Sequence, residues 1–162
     1  MMKATAIVIA AAAVPGAMAD FWMSYLNRIE DTGRGAPTEA GVAFLKDPAI
    51  TCDDVLSPKI WLNVGDASDD HPGMRTVPGD DVGAPLYRDP LDTVEFNTLS
   101  EAPGHHTIYK SRDYIMVDVN GDKSGQCYLN RSFVYDLDCS TQNEQVHLLG
   151  SSMFFCESDI EL

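Results

Sequence analysis

Five residues with the chemistry of acid and base catalysis lie close together in the sequence. Glu95, His105, His106, Tyr109 and Arg112 fall within eighteen residues, on segments whose alternating pattern predicts neighbouring strands. A carboxylate accepts a proton, an imidazole donates one, and a guanidinium holds two phosphate oxygens. The set is therefore a candidate catalytic site for phosphodiester hydrolysis. The alternative is that Glu95 and Arg112 are exposed strand charges and that a histidine fills the edge of the core.

A second group of polar residues is similar to half of a calcium-binding loop. Asp118, Asn120 and Asp122 alternate as oxygen ligands of a hard cation do, but Leu129 stands where such a loop needs a bidentate glutamate. The dipeptide that begins at Asn120 is Asn-Gly, which is a strong signal for a tight hairpin turn. We therefore predict a hairpin here, with calcium as the weaker alternative. Otherwise we predict no metal site, since the adjacent His105 and His106 on a strand would point to opposite faces. We also predict no cofactor.

The sequence lacks the residue patterns that other kinds of hydrolytic enzyme need. The sequence has no Gly-x-Ser-x-Gly elbow, and its 25 acidic residues single out no glycosidase pair. Cysteines that are paired cannot act as thiolates. The sequence thus favours a protein without evident catalytic machinery, with hydrolysis as the alternative.

The N-terminus has the parts of an export signal in order. Lys3 precedes an apolar stretch of eleven residues, 4–14, and the small-residue pattern Ala-Met-Ala follows at 17–19. Such a stretch is too short to cross a bilayer about 30 Å thick. We predict a signal peptide over 1–19 and a single secreted, extracellular domain over 20–162.

An exported chain can form disulfides, and four cysteines are present. Cys52, Cys127, Cys139 and Cys156 lack the spacing of zinc or redox sites, so they predict two disulfides with three pairings open. Asn130 begins the sequon Asn-Arg-Ser in a polar stretch between two apolar runs, which suits a glycosylated surface turn. The alternative is an unused tripeptide.

The net negative charge of the protein limits the kinds of partner that it can bind. The 162 residues carry 25 acidic and 11 basic side chains; without residues 1–19, which hold Lys3, the count is 25 against 10, a net charge of −15. This surface repels phosphate backbones and anionic lipid. We therefore expect no membrane partner, and no nucleic acid unless the phosphodiester alternative holds.

The apolar pattern predicts the elements that must position these residues. Residues Phe21–Leu26 are bulky on both faces, as in a central strand. A period of two marks further strands at 59–64, 94–98, 115–119 and 133–138, with shorter candidates at 105–110, 146–149 and 153–156. The predicted fold class is mainly β, an antiparallel sandwich or small barrel with at most one short helix and two disulfides.

Two segments depart from the strand pattern. Thr38–Lys46 predicts the short helix, because its first residue can cap it, Val42 and Leu45 share a face, and Pro48 ends it. Residues 65–90 hold four glycines, four prolines and six aspartates. They predict a long acidic loop, either solvated or part of a binding surface.

Several stretches of the mature chain resemble one group of exported proteins. These stretches are Phe44–Pro48, Thr51–Val55, Gly104–Tyr109, Met116–Gly121 and Gly125–Cys127. In this layout the chain resembles the small secreted cystine-containing proteins of filamentous fungi, many of them discussed as effector candidates. The resemblance implies a compartment and not a mechanism.

The predicted function is that of a secreted, disulfide-stabilised, effector-like binding protein whose partner is a host protein or a cell-wall component. The 65–90 loop is its candidate binding surface. The alternative is a small secreted hydrolase, a ribonuclease-like phosphodiesterase that would use Glu95, His105, His106 and Arg112. In residue types, small size and acidity the chain is similar to microbial guanyl-specific ribonucleases. The ligand and the oligomeric state stay open.

Overall fold

The computed structural model of the chain describes residues 20–31, 38–56, 61–63, 65, 67–68, 70–77, 91–99, 101–140 and 145–162. The predicted signal peptide lies outside these residues, as do positions 66, 69 and 78–90 of the predicted acidic loop. Within the described ranges, no helix is long and apolar enough to span a membrane.

Antiparallel strands make up most of the described chain. They are β1 Phe21–Asp31, β2 Thr38–Leu45, β3 Trp61–Asn63, β4 Gly73–Val77, β5 Thr93–Asn97, β6 His105–Tyr109, β7 Ile115–Asp118, β8 Lys123–Leu129, β9 Val134–Asp138 and β10 Gln145–Ser158. The helix α1 spans Cys52–Leu56, and a 3₁₀ turn spans Lys110–Arg112.

These strands form one sheet in the order β3-β2-β1-β10-β8-β7-β6-β5-β4, with β9 paired to β10 beside β8. The two ends of the sheet approach each other, since the Gly65 N–H, just beyond β3, donates to the Met74 carbonyl in β4 at 2.8 Å. The sheet is therefore nearly closed into a barrel. The predicted mainly β fold class, with little helix and two disulfides, is confirmed.

The predicted helix at Thr38–Lys46 is wrong, because this segment forms strand β2. It pairs with β1, and Val42 and Phe44 both enter the core at strand spacing. The short helix lies at α1 instead, where a capping box begins it. The Asp54 carboxylate accepts from the Thr51 N–H at 2.9 Å, and the Asp54 N–H donates to Thr51 Oγ1 at 3.4 Å.

The prediction of an unbroken loop over 65–90 is also wrong, because Gly73–Val77 form β4. Its burial alternates, with Met74 and Thr76 inside and Arg75 exposed. Pairing with β5 decides this structure, since five residues flanked by turn formers carry too short a pattern to identify alone.

Side chains pack into two cores on opposite faces of β1 and β10. The first lies inside the barrel and includes Phe21, Phe96 and Phe154. The second lies under β9 and includes Leu26, Tyr135, Val146 and Leu148.

A β-bulge lets β10 serve both cores. Met23 pairs with Phe154 while Ser24 pairs with Ser152, so Met153 is the extra residue. Leu148 therefore faces the second core and Phe154 the first, although an unbroken strand would point both to one side.

Each core contains one disulfide. Cys127–Cys156 joins opposed residues of β8 and β10 in the first core. Cys52–Cys139 joins α1 to the residue just beyond β9 in the second. These are the pairings that the sequence left open, and disulfides of this kind are typical of exported proteins.

Candidate functional site

A cavity of about 380 Å³ lies where β5, β6 and β7 meet the β7–β8 turn. Its lining includes all the sequence-predicted catalytic residues, Glu95, His105, His106, Tyr109 and Arg112, together with Thr107 and residues 117–121. A concave space of this size is typical of small-ligand sites.

Glu95 lies between an arginine and a histidine of the two neighbouring strands. Pairing places Arg75 of β4 and Thr107 of β6 directly opposite it, with His105 as the diagonal neighbour. Arg75 Nη2 lies 2.5 Å from Glu95 Oε2, and His105 Nε2 lies 3.1 Å from Glu95 Oε1. Because an ionised carboxylate only accepts, Nε2 of His105 carries the hydrogen of this contact. Both carboxylate oxygens are thus engaged.

Sequence reasoning missed Arg75, which lies in the segment predicted to be a loop. A signal was present in the run Gly73–Val77, where Met74 and Thr76 alternate with Arg75. Only the register with β5 places this arginine opposite Glu95.

Arg112 is held against an aromatic ring at the end of β6. Its Cζ lies 5.0 Å from the centroid of the Tyr109 ring, a cation–π distance. The 3₁₀ turn sets this position, and Asp113 and Tyr114 follow it with positive φ of 53° and 61°. The Tyr114 N–H returns to the Tyr109 carbonyl at 2.9 Å. Left-handed backbone at two non-glycine residues stores strain of the kind that often accompanies functional sites.

His106 does not join the Glu95 contact, because it lies on the core-facing side of β6 as the sequence predicted for adjacent histidines. Its ring packs on Phe96, with the centroids 5.8 Å apart. Burial lowers the pKa of His106, and Asp118 opposes that shift. Nδ1 of His106 is buried without a hydrogen-bond partner among the described residues.

Asp118 organises the β7–β8 turn. Its Oδ1 accepts from the N–H groups of Asn120 and Asp122, each at 2.9 Å, and its Oδ2 accepts from Asn120 Nδ2 at 3.3 Å. The hydrogen bond from the Asp122 N–H is the main cause that lowers the pKa of Asp118. The predicted hairpin is present, with Gly121 at φ 84°.

Hydrogen bonds of the turn therefore join the candidate calcium ligand Asp118 to the other two candidates, Asn120 and Asp122. In the described part of the chain, no group of three or more His, Cys, Asp or Glu side chains is placed to hold a metal ion. The calcium alternative stays a prediction.

The cavity lining combines a hydrogen-bonded carboxylate and imidazole with a guanidinium that is held at the other end of β6. Glu95 and His105 supply the pair, and Arg112 makes no ion pair with an acid among the described residues. An anionic or strongly polar group would find a donor at Arg112.

Comparison with known proteins found no match. No family model matches the sequence, and neither a curated protein nor a solved structure matches it.

Proposed function

We propose that the chain is a secreted, effector-like binding protein whose ligand site is the cavity between β5, β6 and β7. The observation that carries the proposal is the convergence of Glu95, His105, Tyr109 and Arg112 on one concave space of about 380 Å³. Binding sites combine such a space with a few polar groups of fixed orientation. The partner is a host protein or a cell-wall component that inserts a small polar group.

The orientation of these groups comes from their contacts with one another and with Arg75, which lies outside the cavity lining. Arg75 holds Glu95, Glu95 holds His105, and Tyr109 supports Arg112, so each polar group keeps its place without a ligand. Preorganisation of this kind reduces the entropy that binding must overcome. It supports the cavity as the binding surface, in place of the 65–90 loop.

Titration of the ¹⁵N-labelled mature protein with chitin and β-glucan oligosaccharides tests a cell-wall ligand. We expect one probe to shift the amide resonances of Thr107 and Val117. Arg112→Gln should weaken this binding about tenfold or more, because it removes a charge-assisted donor. Arg131→Gln, a change of the same type outside the cavity, should bind like the wild type. Shifts confined to other strands, or no shift with either probe class, would exclude this ligand class for the cavity.

Export is tested separately on protein recovered from the medium of a secretory host. We expect its N-terminal residue to be Asp20, because the small residues at 17 and 19 match a signal-peptidase site. Intact Met1 on the recovered protein would contradict this.

The second candidate is a ribonuclease-like phosphodiesterase, which the contact between Glu95 and His105 in the same cavity as Arg112 favours. His105, oriented by Glu95, would accept the proton of the attacking hydroxyl as its oxygen bonds to phosphorus; the bond from phosphorus to the leaving oxygen would break, and the imidazole would return the proton to that oxygen. Arg112 would bind the phosphate. His105 takes the place of His106 in this proposal, because only His105 contacts the carboxylate.

Incubation of the purified protein with RNA decides between the two functions. If the chain is an enzyme, Glu95→Gln and His105→Gln should each lower the cleavage rate about 100-fold or more, since general acid–base groups contribute that much. His147→Gln, an exposed histidine that also contacts a carboxylate, is the matched control. A wild-type rate no higher than the buffer background removes the enzyme candidate.

A further inference from the structure

The one sequon of the chain lies at the centre of an apolar surface patch. Leu129 and Val134 are 40% and 78% exposed and flank the sequon residues Asn130 and Ser132. Both are large hydrophobic side chains, whereas Tyr128, the neighbour of Leu129 in β8, points to the other face of the strand, where its hydroxyl donates to Glu157 at 3.1 Å. We propose that Asn130 carries an N-linked glycan that covers this patch.

Strand pairing keeps the patch together in space. Leu129 lies opposite Phe154 and Val134 lies opposite Ser151, so both border the same side of β10. Because Met153 is the extra residue of the bulge, the two positions face residues only two apart on β1, which corresponds to about 7 Å. The Asn130 side chain begins in the connection between these two positions, where a bulky, solubilising group would lie over both.

The Asn130 amide is available for this modification. Its Oδ1 accepts from the Ser132 N–H at 3.0 Å, and its backbone N–H donates to the Met153 carbonyl at 2.9 Å. Nδ2, the atom that bonds to the sugar, donates no hydrogen bond within the described residues. Attachment at Nδ2 therefore breaks no contact of the fold. By comparison, Nδ2 of Asn97 donates to the Ser68 carbonyl at 3.0 Å.

The modification is a group transfer from a lipid-linked oligosaccharide of the secretory pathway. Nδ2 forms a bond to the anomeric carbon of the first sugar, and the bond from that carbon to the lipid pyrophosphate breaks. The lipid pyrophosphate leaves, and the proton lost from Nδ2 passes to an acceptor base. No residue of the cavity takes part, so this inference rests on export, which belongs to the proposed function, and not on the ligand site.

Expression of the full chain in a eukaryotic secretory host tests the attachment. We expect the intact mass of the secreted protein to fall by one N-glycan on treatment with peptide N-glycosidase. Ser132→Thr keeps the sequon and should show the same loss, whereas Ser132→Ala and Asn130→Gln should show none. A wild-type protein without a mass loss, or a Ser132→Ala variant that retains it, overturns the proposal.

Binding of a hydrophobic dye tests whether the glycan covers the apolar patch. Enzymatic removal of the glycan should raise dye fluorescence about twofold or more, because the patch becomes accessible. In the deglycosylated protein, Val134→Ser should reverse most of this rise, and Val77→Ser, at an exposed valine elsewhere in the sheet, should not. Equal dye binding before and after deglycosylation overturns the covering role.

Discussion

The Glu95 carboxylate shows how contacts alter the role that a residue type suggests. In the sequence it is a candidate free base, yet in the structure Arg75 occupies one oxygen and His105 the other. A carboxylate engaged on both oxygens serves mainly to orient its neighbours. In the phosphodiesterase proposed above, the proton would therefore pass through His105, which Glu95 orients.

His106 should make the protein less stable at pH 5 than at pH 7.5. Burial lowers the pKa of His106 below its ordinary value of 6.5. The unfolded chain then binds a proton near that pH which the folded chain does not bind. The stabilising contribution of neutral His106 is therefore fully present above the pKa of this histidine in the unfolded chain. It is lost as the pH falls towards the lower pKa in the folded chain.

Urea unfolding at the two pH values checks this with the variant His106→Gln. The variant should lose the His106 share of the pH dependence, about 1.4 kcal/mol for each unit by which the pKa is lowered. His147→Gln, at an exposed site, serves as the control and should keep that share. An unchanged pH slope in His106→Gln would show that this histidine is not the group responsible.

Strand β10 depends on a glycine where three strands meet. Gly150 pairs with Leu26 of β1 on one side and Tyr135 of β9 on the other. A Cβ at this position would lie 2.1 Å from the Tyr25 carbonyl oxygen. The backbone of β1 approaches so closely that no side chain fits.

Gly150→Ala should therefore destabilise the protein at or beyond the upper end of the range of about 1–3 kcal/mol for overpacking. Gly65→Ala is the matched control, since a Cβ at Gly65 meets nothing within 4 Å. The control should stay within about 0.5 kcal/mol of the wild type. Chemical denaturation of both variants measures the difference, and equal stabilities would contradict the close approach.

The elements that were predictable from the sequence are those with one buried and one exposed face. Strands β5, β6 and β9 largely alternate in burial as their apolar pattern indicates, whereas in β7 the adjacent residues Met116 and Val117 are both buried at an irregularity in the pairing with β8. Strand β2 was not predictable, because Val42 and Leu45 also fit helical spacing and only the pairing with β1 selects the strand. The sequence pattern predicted two short strands in place of β10, because the bulge at Met153 interrupts the alternation of apolar and polar residues.

At the scale of the whole molecule, the described residues form two cores with a disulfide in each, and of these two the first core backs the cavity strands. Phe96 and Ile108 anchor β5 and β6 from inside the barrel. The bridge Cys52–Cys139 lies on the other face of β1 and β10. The stability of the whole chain and the geometry of the cavity can therefore be separated.

Cys52→Ala with Cys139→Ala should lower the free energy of unfolding by about 2–4 kcal/mol, because the bridge restricts the unfolded chain. The amide resonances of Thr107 and Val117 at the cavity should keep their wild-type positions. Cys127→Ala with Cys156→Ala, next to the cavity strands, should shift them. Loss of the cavity resonances in the first variant would show that the two cores are coupled.

Local patterns in the sequence determined the mainly β fold class, the hairpin at Gly121, the number of disulfides and the excess of acidic residues. Each of these depends on residues near one another in the chain or on composition alone. The tertiary structure decided the cysteine pairing, the strand at Thr38–Leu45 and the meeting of Arg75, Glu95 and His105. These depend on which distant segments lie side by side, and hydrogen-bond register between strands is a property that no single strand contains.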